Sequence, residues 1–367
     1  MIFLDHNATT PIDPRVVEAM LPYLHQCFGN PSSLYRLGRL SRSAIDSARE
    51  QVAALIDAQP SQILFTSGGT EADALAMASA QGRRLFISAI EHPAVFENAN
   101  ARQASYLGLE ILPVDVDGVV NPALIDGLEL RSGDMISLML ANNETGALQP
   151  VGDWVAKASS VGAIVHTDAV QAVGKIPVSF NTLGVQCMSL SSHKIYGPKG
   201  CGALVKSDEV IVQPLQYGGD QEQALRAGTE NVAAIVGFGK AAELARLELQ
   251  IRSEHLLHLR AYLEHGLRQI PGLVIFAERA DRLPNTVQFA APRTHGEMLL
   301  MQLDRKGIAV SSGSACKAGS QEPSPALMAM GIEPTLAQSA IRVSLGKDNT
   351  LQHIDEFVSV LQSLLDR

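Results

Sequence analysis

One stretch gathers more chemically capable side chains than any other: Ser189-Leu190-Ser191-Ser192-His193-Lys194, followed by Ile195-Tyr196-Gly197-Pro198-Lys199-Gly200. Met188, Leu190 and the apolar run after Gly200 predict strands on either side of a turn. Lys194 would then sit where a strand ends, among hydroxyls and an imidazole. A lysine desolvated in such a place loses its proton and attacks a carbonyl. A solvated surface lysine is the plainer alternative, and the rest of the chain must decide.

Four other segments suggest a site for an anionic, ring-bearing ligand. Ser67-Gly68-Gly69-Thr70-Glu71 follows an apolar run and precedes a helical one, so free N–H groups and a positive dipole end would face an anion. The same segment reads equally as a tight turn with a threonine cap. Asp168, in Val165-His166-Thr167-Asp168-Ala169-Val170-Gln171, is predicted at the end of a buried strand, where a carboxylate is expensive unless paired. A pyridinium N–H would be a fitting partner; a helix cap is the alternative. His92 and the run Asn142-Asn143-Glu144-Thr145-Gly146 also follow apolar strands, and ligands of open α/β sheets gather at the carboxyl ends of strands. Cys316, in Ser311-Ser312-Gly313-Ser314-Ala315-Cys316, lies among small and polar residues, unlike a buried structural cysteine.

The elements that must position these residues alternate. Short apolar runs at Ile63–Phe65, Leu85–Ile87, Leu109–Leu112, Met135–Leu140, Ile164–Val165, Met188–Leu190 and Ala203–Val205 are separated by helical patterns. This predicts an α/β fold with a mostly parallel seven-stranded sheet and helices on both faces. Upstream, a strand over 2–4 precedes a helix opened by Pro14 with Val16, Val17, Met20, Leu21 and Leu24 on one face. A second amphipathic helix follows, striped by Leu37, Leu40, Ile45, Ala48, Val52, Leu55 and Ile56. One long helical stretch over 231–270 leads to a smaller α+β unit with strands near 274–276, 286–289, 308–310 and 341–345. The expected division is a large domain over 13–250 and a small one made of 1–12 and 251–367.

The chain has 367 residues, 46% hydrophobic and 18% charged, the composition of an ordinary globular protein. A net charge of -9 argues against nucleic acid or anionic membrane as partners. No signal peptide and no apolar run long enough to span a bilayer is read in the sequence. The four cysteines, Cys27, Cys187, Cys201 and Cys316, are scattered without metal-ligand spacing, so a reducing, cytoplasmic location and no metal are expected.

The segments LDHNATTP, FGNPSS, SGGTEAD, EHPAV, NNETG, HTDAVQAVGK, SSHKIYGPKG, RAGTEN, SSGSAC and IRVSLG, in this order and spanning nearly the whole chain, resemble the cysteine desulfurases of the NifS/IscS type. These belong to the class V aminotransferase group of fold-type I pyridoxal-phosphate enzymes. The resemblance implies pyridoxal 5'-phosphate as cofactor, with Lys194 its Schiff-base lysine, Asp168 on the pyridine nitrogen and His92 stacked on the ring as an acid/base. It implies Asn143 and Gln171 near the ring oxygen, and Gly69, Thr70, Ser191 and His193 on the phosphate. Thr229 would reach the phosphate from a second subunit of a homodimer. Asn7 and Arg342 would clamp the carboxylate of L-cysteine, with Asn143 beside them. Cys316 would accept the substrate sulfur as a persulfide, forming L-alanine, and pass it to an acceptor protein for iron–sulfur cluster assembly or another sulfur-transfer route. An aminotransferase, β-lyase or selenocysteine lyase would share the cofactor residues; a low-turnover sulfur-delivery scaffold would lack the nucleophile.

Three positions depart from the family pattern. Gly69 stands where Ala is frequent, Lys317 where Thr is common, and Gln223 where relatives often carry Arg. The chain also ends soon after its closing helix, without the tail by which some relatives dock a scaffold, which leaves the sulfur acceptor open.

Overall fold

The computed structural model describes residues 1–312 and 322–366. The strands are β1 (Ile2–Phe3), β2 (Ile63–Thr66), β3 (Arg84–Ser88), β4 (Gly108–Leu112), β5 (Met135–Ser137), β6 (Ile164–Asp168), β7 (Cys187–Ser191), β8 (Gly202–Lys206), β9 (Val274–Ile275), β10 (Thr286–Ala290), β11 (Ile308–Ala309), β12 (Ser311–Ser312) and β13 (Ala340–Ser344). The helices are α1 (Pro14–His25), α2 (Arg36–Leu55), α3 (Gly69–Ala78), α4 (Pro93–Ala101), α5 (Val151–Ser159), α6 (Phe180–Leu183), α7 (Val232–Leu247), α8 (Leu249–Arg268), α9 (Gly296–Arg305), α10 (Pro325–Ala329), α11 (Pro334–Gln338) and α12 (Leu351–Leu365).

Seven strands form one sheet in the order β2-β8-β7-β6-β5-β3-β4. All seven apolar runs read from the sequence are its strands. β3 to β7 run parallel, while β8 is antiparallel to both β7 and β2. The reversal follows from the short Ser192–Cys201 connection, because a parallel neighbour needs a longer crossover. β2, β3 and β5 to β8 read as near-continuous apolar runs because both faces are covered, whereas the edge strand β4 leaves Glu110 and Ile111 exposed. One apolar cluster joins the sheet to α2, α5 and α7, with Trp154 and Phe238 at its centre; another fills the side of α3 and α4 around Leu75, Met77 and Val95.

A four-stranded sheet, order β12-β13-β10-β9, packs with α8, α9 and α12 around Phe289, Phe357 and Leu263. β1 pairs in parallel with β11 as a separate two-stranded sheet, and Ile2, Leu4 and Ile308 join the apolar core around Phe289 and Phe357. From there the segment Asp5–Thr10 crosses to the large sheet: Ser344 donates from its backbone to Leu4, and Thr10 donates from both N–H and Oγ1 to the carbonyl of His193.

Two expectations are refined. The helical stretch over 231–270 is two helices, broken at Glu248, whose backbone leaves the helical region. On α1 only Val16 of the predicted apolar face is buried; Val17, Leu21 and Leu24 are exposed, together with Phe28, Leu34 and Leu40 nearby. An apolar face this large on one side of the chain is unusual for a monomer.

Candidate active site

β7 ends at Ser191 and the chain makes a single helical turn over Ser192–Lys194. Gly197 closes this turn: a Cβ there would lie 2.1 Å from the Ser192 hydroxyl. Tyr196 adopts a left-handed backbone (φ 69°), which a bulky side chain avoids unless held. Here the hold is explicit. Its N–H donates to Thr10 Oγ1 (2.8 Å), its carbonyl accepts from Asp13 N–H (3.0 Å), and Arg252 and Lys347 lie over its ring. Lys194 therefore projects from a fixed turn. Its Nζ donates to the carbonyl of Ala8 at 2.8 Å and to that of Asn7, so the N-terminal crossing segment receives the amine.

A cavity of about 310 Å³ opens at this point. Asp168, Gln171, Ser191, His193 and Lys194 line it from the large sheet; Gly69, Thr70, His92 and Asn143 from neighbouring loops and helix ends; Asn7 and Arg342 from the smaller sheet's side. Residues up to 335 positions apart in the chain thus meet in one place (7 to 342).

At one end α3 begins at Gly69, after the N-cap Gly68. No side chain caps this helix, so the threonine-cap reading does not hold and the first N–H groups stay available. A Cβ on Gly69 would come within 3.0 Å of Val170, which must give slightly for the Ala frequent in relatives. Thr70, Ser191 and His193 add side-chain donors there. Burial, with Lys194 and Lys199 adding, lowers the His193 pKa to about 4, so the ring is neutral near pH 7.

At the other end Asp168 closes β6. Its Oδ1 accepts from Val170 N–H (2.9 Å), a turn cap, yet the carboxyl still faces the cavity. Burial pushes its pKa up to about 6, against the pull of the Val170 amide and Lys194. Beside it Asp73, from α3, is held well above the usual carboxylate range by burial and by the charge of Asp168, and its Oδ1 is buried without a hydrogen-bond partner. Glu91, also buried, accepts from Ser88 Oγ and Met139 N–H and is raised to about 8 by desolvation. His166 is fixed between Ser137 Oγ (2.8 Å) and Ser189 Oγ (3.0 Å), and burial lowers it to about 3.

His92 caps α4 through Nδ1, which accepts from Ala94 N–H at 3.1 Å. Nε2 therefore carries the proton of the neutral ring, and burial, with nearby Lys194 and Arg342 adding, lowers the pKa to about 4. Arg342, mid-strand in β13, donates to the Asn143 carbonyl (3.0 Å) and pairs with Asp5 (2.7 Å); its Nε is buried without a partner among the described residues. The Asn7 carboxamide is fully engaged. Oδ1 accepts from Lys175 (2.8 Å) and Asn285 (3.0 Å), and Nδ2 donates to the Asn143 carbonyl and to Thr286 Oγ1. What Asn7 turns toward Lys194 is its carbonyl.

Two expected residues are not in this cavity. Thr229 lines a separate one of about 240 Å³ with Ser67, Glu222 and Arg226. Cys316 lies outside the described residues, but β12, which leads toward it, pairs Ser311 with Arg342. Sequence reasoning missed Asp73, Glu91 and Lys175. Asp73 interrupts the otherwise apolar run Ala72–Ala78 of α3, and Lys175 ends an apolar stretch after Val173; polar residues in such places are the available signal.

The pocket suits pyridoxal phosphate: backbone and hydroxyl donors for a dianion at one end, the buried Asp168 carboxyl for a protonated ring nitrogen at the other, and an amine between them. The family model "Aminotransferase class-V" matches residues 2–357. A protein named cysteine desulfurase IscS from Dictyoglomus turgidum is 42% identical over 375 residues, covering 100% of this chain and 95% of that one. A solved structure titled NifS-like protein superposes with a TM-score of 0.92 at 36% identity, covering 100% and 99% of the two chains. A structure of SspA in complex with cysteine gives a TM-score of 0.83 at 28% identity over 95% of this chain and 100% of that one. The chain belongs to the class-V aminotransferase family, among its cysteine desulfurases.

Proposed function

We propose that this chain is a pyridoxal-phosphate-dependent cysteine desulfurase: L-cysteine and the Cys316 thiol give L-alanine and a Cys316 persulfide. The carbon–sulfur bond of the substrate breaks and a sulfur–sulfur bond to Cys316 forms. The thiol proton and the α-proton end on carbon, so atoms balance without an added oxidant or reductant. The observation that carries the reading is the meeting of Lys194, Asp168, His92 and Arg342 around one cavity.

Bound pyridoxal phosphate supplies an electron sink for the pair left at the substrate α-carbon. The residues do the rest. Gly69, Thr70, Ser191 and His193 hold the phosphate, with Thr229 contributed across a homodimer, and Asp168 holds the ring nitrogen protonated. Asn143 and Gln171 bracket the ring oxygen. Arg342 binds the substrate carboxylate, for which its planar fork is suited. Asn7 supports that clamp from behind, through the shared Asn143 carbonyl. Lys194 would hold the cofactor through its amine and would take the substrate α-proton, and His92, with Nδ1 engaged by the Ala94 amide, would bring a neutral Nε2–H to the same cavity. The exposed α1–α2 apolar face, with Phe28 and Leu34, supports burial against a second copy. Division into a large unit over 13–250 and a small one made of 1–12 and 251–367, a cytoplasmic location and an acceptor protein for the sulfur complete the reading. Among the described residues no helix is long and apolar enough to cross a membrane.

The test is Cys316→Ser. A serine hydroxyl stays protonated without an adjacent base, so alanine formation should fall by several powers of ten, on the order of other lost nucleophiles. Cofactor binding should persist. Wild type given cysteine without reductant should gain one sulfur atom on the peptide holding Cys316. Near wild-type turnover in Cys316→Ser, or sulfur mapped to Cys27, Cys187 or Cys201, would falsify the reading.

A further inference from the structure

Lys175 is a second lysine at this site, fully buried behind the cavity wall, and the reaction described above gives it no role. Its Nζ donates to Gln171 Oε1 (2.9 Å) and to Asn7 Oδ1 (2.8 Å). Gln171 in turn donates from Nε2 to the Asn7 carbonyl at 3.0 Å, the same carbonyl that accepts from Lys194. One amine therefore grips both ends of the link between Gln171 and the acceptor of Lys194.

We propose that Lys175 is a positioning residue: by donating to Gln171 and Asn7 together, it sets the orientation of both carboxamides and fixes the carbonyl that holds Lys194. The argument is one of hydrogen-bond polarity. A lysine head offers N–H groups, so the atom of Gln171 facing it must be the oxygen. The Gln171 nitrogen is then turned toward the Asn7 carbonyl and the cavity, presenting a donor where the ring oxygen of the cofactor would lie. A flipped carboxamide would set oxygen against the Asn7 carbonyl and N–H against N–H. The same logic fixes Asn7: with Lys175 and Asn285 on Oδ1, its nitrogen must face Thr286 and Asn143. Two carbonyl acceptors suit the two N–H groups of an uncharged amine. Burial, with Lys194 and Arg342 adding their charge, holds Lys175 well below the usual lysine range. His6, the other titratable side chain that feels Lys175, is itself kept neutral, at about 4, first by burial.

The inference rests on the assignment of Lys194 and Gln171 to the cofactor, and the test separates the two. Lys175→Met keeps the length and apolar stem and removes both donations. Three readouts apply: the dissociation constant of pyridoxal phosphate, the absorption maximum of the loaded protein, and the rate at which acetic anhydride labels Lys194 in cofactor-free protein, mapped by mass spectrometry well below the melting temperature. The cofactor should bind about tenfold more weakly, as expected for leaving buried acceptors unpaired. The absorption maximum should shift, and Lys194 should label several-fold faster. Lys175→Gln, whose carboxamide still offers N–H groups, should fall between Met and wild type, and it carries the test if Lys175→Met does not fold. Affinity, absorption and labelling all within twofold or unshifted in either folded variant would overturn the proposal. If borohydride-trapped cofactor maps to a lysine other than Lys194, the functional assignment fails, while the labelling of cofactor-free protein still decides whether Lys175 positions Lys194.

Discussion

The two ends of the cavity handle charge in opposite ways. At the ring end, Asp168, Asp73, Glu91 and His166 are buried together, and two carboxyl oxygens, one each on Asp73 and Glu91, lack a hydrogen-bond partner. Desolvation drives the carboxyls up and the imidazole down, so the folded protein prefers this layer with few charges until a cation arrives. At the phosphate end Ser67 and Thr70 are exposed, Gly68 and Gly69 half-buried, and the donors are the first amides of α3. Those amides have no helical partner in any case, so presenting them to an anion requires no desolvated charge. The ring end stores an unfavourable arrangement that a ligand relieves; the phosphate end offers a favourable one that any anion can use. Selectivity should therefore reside at the ring end.

The largest expected effect breaks the comparison there. Asp168→Ala removes the one carboxyl that both faces the cavity and closes β6, and kcat/KM for cysteine should fall about a thousandfold, in the range seen for electrostatic groups acting on developing charge. Asp168→Glu should recover part of it. Steady-state alanine formation measures both, and a loss below tenfold would mean that Asp168 serves mainly as a turn cap.

The next concerns pH. Glu91 keeps its proton in the folded protein up to about 8, whereas the unfolded chain loses it near 4.5. Across that window the unfolded state binds fewer protons, so stability falls as pH rises. His6, His92, His166 and His193 act with the opposite sign: they stay neutral when folded down to about 4 or 3, so stability rises with pH until their ordinary value of 6.5. Above 6.5 the histidines no longer contribute. Between pH 7 and 9 Glu91 should therefore lower the stability of cofactor-free protein by about 1–2 kcal/mol, while Lys175, held well below its ordinary 10.5, adds a slope of the opposite sign, so the Glu91 limb is read as the difference in melting-temperature slope between wild type and Glu91→Gln. Glu91→Gln should flatten that limb, and an unchanged slope in the variant would exclude Glu91 as its source.

A smaller effect probes the phosphate end. Thr70→Val deletes one hydroxyl and leaves the amides of α3 in place, so cofactor affinity should weaken only about three- to tenfold, the scale of one hydrogen bond. Equilibrium titration checks it; a hundredfold loss would show that side chains, and not the helix end, hold the anion.

The smallest expected effect lies next to that end. Arg226 pairs with Glu71 of α3 at 2.9 Å, and just before it Glu222, Gln223 and Ala224 all adopt left-handed backbones (φ 47°, 60° and 61°). Glu222 is pinned by Arg49 and by the Phe65 amide, which holds the strained run in place. Ala224→Gly should relieve about 1 kcal/mol of that strain and raise the melting temperature by about 2 °C. A lower melting temperature would place the cost of glycine freedom in the unfolded chain above the strain.

Much of this was legible in the residues. Seven apolar runs of strand length, separated by helical patterns, are sufficient to specify a sheet buried on both faces, because a strand covered on both sides needs no alternation. Lys194, Asp168, His92 and Gly69 could be placed at strand or helix ends because Gly, Pro and hydroxyl residues punctuate those ends. Spacing could not show that β8 reverses, that Glu248 breaks the long helix, or that the carboxamide of Asn7 is taken up by Lys175, Asn285, Thr286 and the Asn143 carbonyl. Each depends on partners far off in sequence.

The sequence by itself determined the local elements, the identity of the groups available for chemistry and the family they belong to, since periodicity, caps and turn residues act over a few neighbours. Only the tertiary structure decided which groups are desolvated together and which way each amide points. Asp73 and Lys175 read as unremarkable polar residues along the chain; they become part of the site because β6, α3 and the N-terminal segment converge. The fate of a proton or a hydrogen-bond donor there is set by everything packed around it, at a range that neighbours in sequence do not reach.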